Sequence, residues 1–429
     1  MPNVTSVRVI RISPPQETKQ MRTESLTFSQ TASLAPDCRH YRGDKPCFAN
    51  RLCGGCDHYA PFDARICIIK LGALGDVVRT LCILPELRRQ YPNSQITWVT
   101  KPNASRMLQG HPDIDRLMVF DAMSAMTLNR EAFDLMICLD KEAEPASLAM
   151  SINAKKKLGV GLSSFGTPVP LNEEAVGYFE LGLSDELKFN QNTKTYPELI
   201  YDAFGWKYKK QRYTLPMNAD ERAKHVARLS DLGWDESRPT LGINVGAGKV
   251  FANKMWPAGK QASLIQKLKV HEPDMQVLLL GGPDERPIID EIMRKLDLAG
   301  DANGVFDGET HHKEPAFVSL VDLCTVLLSG DTMAMHVAIA LEKGVLVLFG
   351  PTCEQEIALY GQGEKLVAGV PCGPCYKRVC DQGDVCLDAV ELDDAVKAVR
   401  RILQQRLSGL RHHKTRELSL PVLRYRQAG

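Results

Sequence analysis

Eight of the thirteen cysteines fall into two sets whose spacing could hold a metal ion. Cys38, Cys47, Cys53 and Cys56 form one set, ending in a Cys-x2-Cys turn. Cys372, Cys375, Cys380 and Cys386 form the other, starting with one. A Cys-x2-Cys turn presents two thiolates at a spacing suited to one tetrahedral ion. Four cysteines this close together, flanked by glycine and proline, suggest a closed structural site. Zinc is the default, with iron or an iron–sulfur cluster as alternatives. The Cys38-x8-Cys47 and Cys380-x5-Cys386 intervals are irregular for a zinc ribbon, so unliganded thiols are the competing reading, and redox catalysis is a weaker one. An odd total in a long chain does not fit a disulfide scaffold. Cys67, Cys82, Cys138 and Cys324 sit in apolar segments and read as core, and Cys353 is undecided.

A second chemistry-bearing pattern is the glycine turn that follows an apolar run. Gly72, Gly75 and Asp76 follow Ile66–Ile69; Gly246-Ala-Gly248 follows Thr240–Val245; Gly281-Gly282-Pro283 follows Met275–Leu280; Ser329-Gly330-Asp331-Thr332 follows Val326–Leu328. Turns of this kind, between strand and helix, are where open α/β sheets bind ligands. None is a Walker A loop, because Gly248-Lys249 is followed by Val250 and position 243 is Ile. None carries Gly-x-Gly-x-x-Gly, and no Gly-x-Ser-x-Gly elbow follows a strand. Kinase, dehydrogenase and hydrolase readings lose their usual support.

The elements around these turns imply two α/β domains. The chain has 429 residues, which at about 150 residues per domain suggests two or three domains. A strand at 66–69, a helix over 77–89 and a strand at 95–100 make a βαβ unit, with a further strand at 133–139. The pattern restarts with strands at 240–245 and 275–280, a helix at 261–269, a strand at 326–328, a helix to Leu341 and a strand at 345–349. The linker is expected near Pro216 to Pro239. The expected domains are a loose leader (1–36), a Cys-rich segment (37–63), a first domain (64–225), a second (226–405) with the Cys-rich insert 372–386, and a basic tail (406–429). The composition is 44% hydrophobic and 24% charged, so a sizeable core is available. A net charge of +1 argues against a global electrostatic grip on nucleic acid. No stretch has the roughly 18 apolar residues of a membrane helix, and the N-terminus lacks a signal-peptide core. The expected compartment is the cytoplasm.

Four segments, in order, resemble the bacterial ADP-heptose:lipopolysaccharide heptosyltransferases, glycosyltransferase family nine. They are Ile68-Ile-Lys-Leu-Gly-Ala-Leu-Gly-Asp-Val77; Gly242-Ile-Asn-Val-Gly-Ala-Gly248 with Asn253-Lys-Met-Trp-Pro257; Val277-Leu-Leu-Leu-Gly-Gly-Pro-Asp284; and Leu328-Ser-Gly-Asp-Thr-Met-Ala-Met-His336 with Leu348-Phe-Gly-Pro-Thr352. The resemblance covers about residues 65 to 405. It implies a GT-B fold, two Rossmann-like domains facing a cleft, and inverting transfer without a catalytic cofactor or metal.

Residue by residue, the resemblance implies that Asp76 is the catalytic base. The chemistry agrees, since inverting transfer needs a carboxylate to take the acceptor proton, although a helix cap is the plain alternative. Lys70, Gly72 and Gly75 would border the acceptor side of the cleft, with a lysine snorkelling from a strand end as the alternative for Lys70. Lys254 would meet the donor diphosphate and offset charge on the leaving nucleotide. Asp331, Thr332 and His336 would open the helix whose amides cradle phosphate, and Asp284 or Glu285 would hold ribose hydroxyls. Met333, Ala334 and Glu342 depart from the family's usual glycine, proline and glycine, and Met333 would crowd an approach to phosphate.

The function this implies is heptose transfer from ADP-heptose to a lipopolysaccharide-core acceptor. The competing readings are heptose transfer to an autotransporter-type protein and a non-catalytic, metal-containing nucleotide-sugar-binding module. The tail carries Arg411, Lys414, Arg416, Arg424 and Arg426 against Glu417, so it reads either as a peripheral contact with anionic lipid of the inner membrane or as a solvated tail. His311-His312 and His412-His413 receive no role.

Overall fold

The computed structural model describes residues 34–248, 253–378, 380 and 386–417, with side chains through residue 409. The chain divides into two units, Met1–Pro61 and Phe62–Gly429. Nearly all of the expected leader, and residues 418–429 of the basic tail, lie outside the described residues.

The described part of the first unit, residues 34–61, contains turns and one isolated bridge between Cys38 and Pro61. The second unit holds two six-stranded sheets. The first contains β1 (Ala64–Ile69), β2 (Ser94–Thr100), β3 (Arg116–Val119), β4 (Ala132–Cys138), β5 (Asn153–Leu162) and β6 (Pro168–Pro170), in the order β3-β2-β1-β4-β5-β6. All neighbours are parallel except β5 and β6. The second contains β7 (Thr240–Asn244), β8 (Gln276–Leu280), β9 (Val305–Asp307), β10 (Val326–Gly330), β11 (Gly344–Phe349) and β12 (Gly363–Val367), in the order β12-β11-β10-β7-β8-β9. It is parallel throughout.

Counted within each domain, the two strand orders are the same, 3-2-1-4-5-6, the doubly wound order that reverses between its first and fourth strands. Central strands covered by helices on both faces read as unbroken apolar runs, which is why Ile66, Ile68 and Ile69, or Val277 to Leu280, are fully buried. Register follows from this patterning: Ile66 pairs with Ile96 and Leu135, and Ile243 with Leu279 and Leu328.

The helix expected over 77–89 forms as two pieces, Leu74–Thr80 and Leu84–Gln90, joined by a 3-10 turn. Pro85 lies in the first turn of the second piece, where its missing N–H costs nothing. The expected linker near 216–239 instead contains a helix, Ala219–Asp231, capped by the Asn218 side chain accepting from Glu221 N. Its Arg222 Nε donates to Asp322 at 2.8 Å and its Arg228 to the Asp307 carbonyl, so this helix packs with the second domain. The C-terminal helix runs over Leu392–Glu417, so residues 406–417 extend it rather than belonging to a tail, and Ala395, Val399 and Ile402 seat it on the second sheet's domain. Among the described residues, no helix is long and apolar enough to cross a membrane.

Candidate active site

The turn after β1 is braced from below. Lys70 is 5% exposed; its Nζ pairs with Asp140, just beyond β4, and donates to the Gly72 carbonyl at 2.8 Å. Asp140 also accepts from Leu71 N at 2.5 Å. Burial opposes the Lys70 charge, but Asp140 outweighs it and holds the lysine pKa above its ordinary value. The sequence places Lys70 on the acceptor side of the cleft; in the structure its charge and two of its donors are engaged at the strand crossover.

Asp76 lies in the first turn of the Leu74–Thr80 helix with its side chain 36% exposed. Arg79 Nη2 lies 2.7 Å away, one turn on. The Arg79 guanidinium stacks 3.7 Å above the Tyr196 ring and stands 3.9 Å from Glu356 of the second domain. Burial pushes the Asp76 carboxyl up, but Arg79, Lys70 and His336 together hold it below the usual carboxylate value. It is therefore ionised at neutral pH and able to accept a proton.

The second domain brings its own groups to the same place. Thr332 caps the Met333–Ala340 helix and shares a hydroxyl contact with Ser329 at 3.0 Å. Lys254 Nζ bonds to Asp331 through the carboxylate at 3.2 Å and the backbone carbonyl at 3.1 Å. Burial opposes the Asp331 charge, and Lys254, His336, Thr352 and Arg79 more than restore it. His336 is buried, its Nδ1 lies 3.1 Å from the Tyr213 hydroxyl, and burial drives its pKa down to about 4, so it is neutral. A Cβ on Gly75 would stand 2.8 Å from the His336 ring. Gly75 thus makes room for the opposite domain's imidazole, whereas nothing lies within 4 Å of a Cβ on Gly72.

These groups line a cavity of about 500 Å³ between the domains. Asp76 and Arg79 face Lys254, Asp331, Thr332 and His336 across it. A second cavity of about 390 Å³ shares Leu74, Ala247, Thr332 and Met333 with the first. Glu285 lines it, its two carboxylate oxygens accepting from Gly248 N at 2.9 Å and Gly282 N at 2.8 Å. Lone pairs remain on both oxygens for a ligand hydroxyl. Of the two candidates Asp284 and Glu285, only Glu285 lines this cavity, while Asp284 is exposed on the turn. Met333 lies where the two cavities meet.

Sequence reasoning missed several lining residues. Arg79 was findable, being one helical turn from Asp76. Glu356, Lys188 and Tyr376 also line the larger cavity, and only tertiary folding brings them there. Lys188 Nζ sits 3.7 Å over the Tyr376 ring, and Phe189 stacks on that ring at 5.4 Å. His312, left without a role, lines the second cavity. Cys67, Cys82, Cys138 and Cys324 are buried core, and Cys353 lines the larger cavity with its thiol pushed up to about 11 by burial.

The eight remaining cysteines are free thiols. Among the described residues, no three His, Cys, Asp or Glu side chains converge as a metal-ligand sphere. Neutral thiols have no mutual attraction that would assemble them; a cation supplies it. Residues 381–385, inside the second set, lie outside the described residues.

The comparisons agree with this architecture. The profile of glycosyltransferase family 9 (heptosyltransferase) matches residues 124–385, more than half the chain. Lipopolysaccharide heptosyltransferase 1 of Campylobacter coli is 20% identical over 353 residues, covering 79% of this chain and 98% of that one. The glycosyl transferase family 9 structure from Veillonella parvula superposes with a TM-score of 0.62 at 18% identity, over 80% of this chain and 98% of that one. The E. coli ADP-heptose lps heptosyltransferase II superposes with a TM-score of 0.58 at 17% identity, over 80% and 99%. Two mostly parallel sheets of matching strand order around one cleft are the GT-B fold, and the chain belongs to glycosyltransferase family 9, the heptosyltransferase family.

Proposed function

We propose that this glycosyltransferase moves heptose from ADP-heptose to a lipopolysaccharide-core sugar with inversion at the anomeric carbon. One observation carries the reading: Asp76 of the first domain and the Lys254–Asp331–Thr332 group of the second line one cavity. The similar proteins, lipopolysaccharide heptosyltransferases among them, support the donor and acceptor class.

In this reading the nucleoside occupies the smaller cavity beside Glu285, and the diphosphate lies at the N-terminus of the Met333–Ala340 helix, near Lys254. The acceptor hydroxyl attacks the anomeric carbon while Asp76 takes its proton. The bond from that carbon to the diphosphate breaks, and ADP leaves with the electron pair. Lys254 and the helix amides offset the charge that develops on it. Arg79 keeps Asp76 ionised and oriented. The donor implies action in the cytoplasm, at the inner leaflet where the acceptor lipid is presented.

The Cys372–Cys386 set is proposed to hold a structural metal that steadies the cleft. The Cys386 thiol lies within electrostatic reach of Cys375, Cys380 and Cys372. Cys375 N and Tyr376 N both bond to the Pro351 carbonyl, tying this segment to the loop after β11 and to the cavity-lining Tyr376.

The test offers ADP-heptose with heptose-deficient lipopolysaccharide core in one arm and an autotransporter-type protein in the other. The expected product is a core glycoside of inverted anomeric configuration by NMR. Transfer to the protein alone favours the second acceptor class, and no transfer to either, with donor still bound, favours a binding module.

A further inference from the structure

Residues 34–61 lie outside the family match and have almost nothing apolar to fold around. Cys38 is their one buried residue, while Phe48, Leu52 and Tyr59 are 66%, 76% and 46% exposed. Segments below about 40 residues usually need a disulfide, a metal or a partner to hold a fold. This one nevertheless forms a closed set of turns. Arg39 N bonds to the Ala60 carbonyl at 2.8 Å beside the Cys38–Pro61 bridge, joining the two ends. Two tight turns carry the other three cysteines: Asn50 N bonds to the Cys47 carbonyl at 3.0 Å, and Cys56 N to the Cys53 carbonyl at 3.1 Å. Asn50 and Gly55 adopt positive φ, 47° and 65°, as such turns require.

The four cysteines all line one cavity of about 420 Å³. Donors already point at two of the sulfurs. Ala60 N lies 3.5 Å from Cys38 Sγ, and the Arg51 guanidinium and His58 N–H hydrogen-bond the Cys56 thiol. His40 and His58 also border the cavity, but both pack edge-on against Phe48, with centroids 4.7 and 5.2 Å away. That leaves the thiols as the ligand set, and the thiols are free rather than paired as disulfides.

We propose that Cys38, Cys47, Cys53 and Cys56 bind one thiophilic divalent cation, Zn²⁺ or Fe²⁺, as four thiolates, making residues 34–61 a metal-stapled module. The four sulfurs border the cavity without converging in this structure; the ion closes the sphere, and the cavity leaves room for that movement. The proposal is independent of the transfer chemistry, since it uses no residue of the cleft.

The test uses the full chain, stripped with chelator and titrated with Co²⁺ as the probe. Sulfur-to-cobalt charge-transfer absorption counts the thiolate sites. Two double variants, Cys53→Ser/Cys56→Ser and Cys372→Ser/Cys375→Ser, separate the two cysteine sets, with far-UV circular dichroism as the folding control. The expected result is that Cys53→Ser/Cys56→Ser loses one equivalent of tetrahedral-thiolate Co²⁺ relative to wild type, while Cys372→Ser/Cys375→Ser keeps that equivalent. Unchanged stoichiometry in Cys53→Ser/Cys56→Ser, or no thiolate-bound cobalt in the wild type, overturns the proposal. Limited proteolysis of the wild-type chain gives a second reading that needs no variant. Cleavage within 34–61 is expected to accelerate when metal is removed and to slow when Zn²⁺ or Fe²⁺ is restored; cleavage indifferent to metal overturns the proposal.

Discussion

The two domains place the same ion pair at the same topological point. In the first, Lys70 after β1 meets Asp140 after β4; in the second, Lys254 after β7 meets Asp331 after β10. Both pairs span the point where strand order reverses. They differ in burial. The Lys70 and Asp140 side chains are 6% and 3% exposed, whereas Lys254 and Asp331 are 16% and 18% exposed and line the cleft. A pair sealed beneath a turn can only brace it. A pair at the cavity wall can exchange its internal contact for a ligand, so solvent access rather than residue type separates scaffold from binding site.

The largest effect expected from this contrast is on stability. Lys70→Met leaves Asp140 buried without its cation and is expected to cost about 3–5 kcal/mol, read as a lowered denaturation midpoint. Lys254→Met is expected to spare stability by comparison and to lower kcat about 10²–10³-fold in steady-state assays, because a group aimed at the leaving diphosphate is lost. If the two variants behave alike, the division into brace and site is broken.

A smaller effect tests how closely the domains meet. Gly75→Ala puts a methyl 2.8 Å from the His336 ring, which Tyr213 holds from the other side. Such overpacking is expected to cost about 1–3 kcal/mol by thermal unfolding, and His336→Ala in the same chain should return much of it.

The smallest is a shift in pH dependence. Arg79 is the foremost of the charges that hold Asp76 below the usual carboxylate range against the opposing effect of burial. In the proposed mechanism the ionised carboxylate is the active form, so kcat/KM is expected to fall as pH drops through this pKa. Removing Arg79 as Arg79→Gln is expected to move that acid limb to higher pH. The linkage has the same sign for stability: a depressed carboxylate pKa contributes above the unfolded value and is lost as pH falls through the folded one.

Much of this was legible in the sequence because parallel strands announce themselves. The runs at 66–69, 277–280 and 345–349 are apolar without alternation, and each proved a buried strand. The resemblance to the heptosyltransferases named Asp76, Lys254, Asp331, Thr332 and His336, and these line one cavity. What escaped was tertiary. Nothing local separates Lys70, sealed by Asp140 from 70 positions away, from Lys254 at the cavity wall. Lys188 and Glu356 reach the cleft only because the Glu186–Gln191 turn docks on the loop after β11, where Gln355 donates to the Lys188 carbonyl. The helix at 219–231 was readable from Asn218 and the acids of its first turn, yet its length of polar sequence resembled a linker.

The central claim is that Asp76 acts on the acceptor proton while the second domain holds the donor. Measuring the transfer rate and ADP affinity on one sample of Asp76→Asn tests it most directly. The account predicts a loss in kcat of about 10²–10⁴-fold with ADP bound as tightly as by the wild type. Transfer at the wild-type rate, or ADP affinity lost in step with the rate, would contradict it.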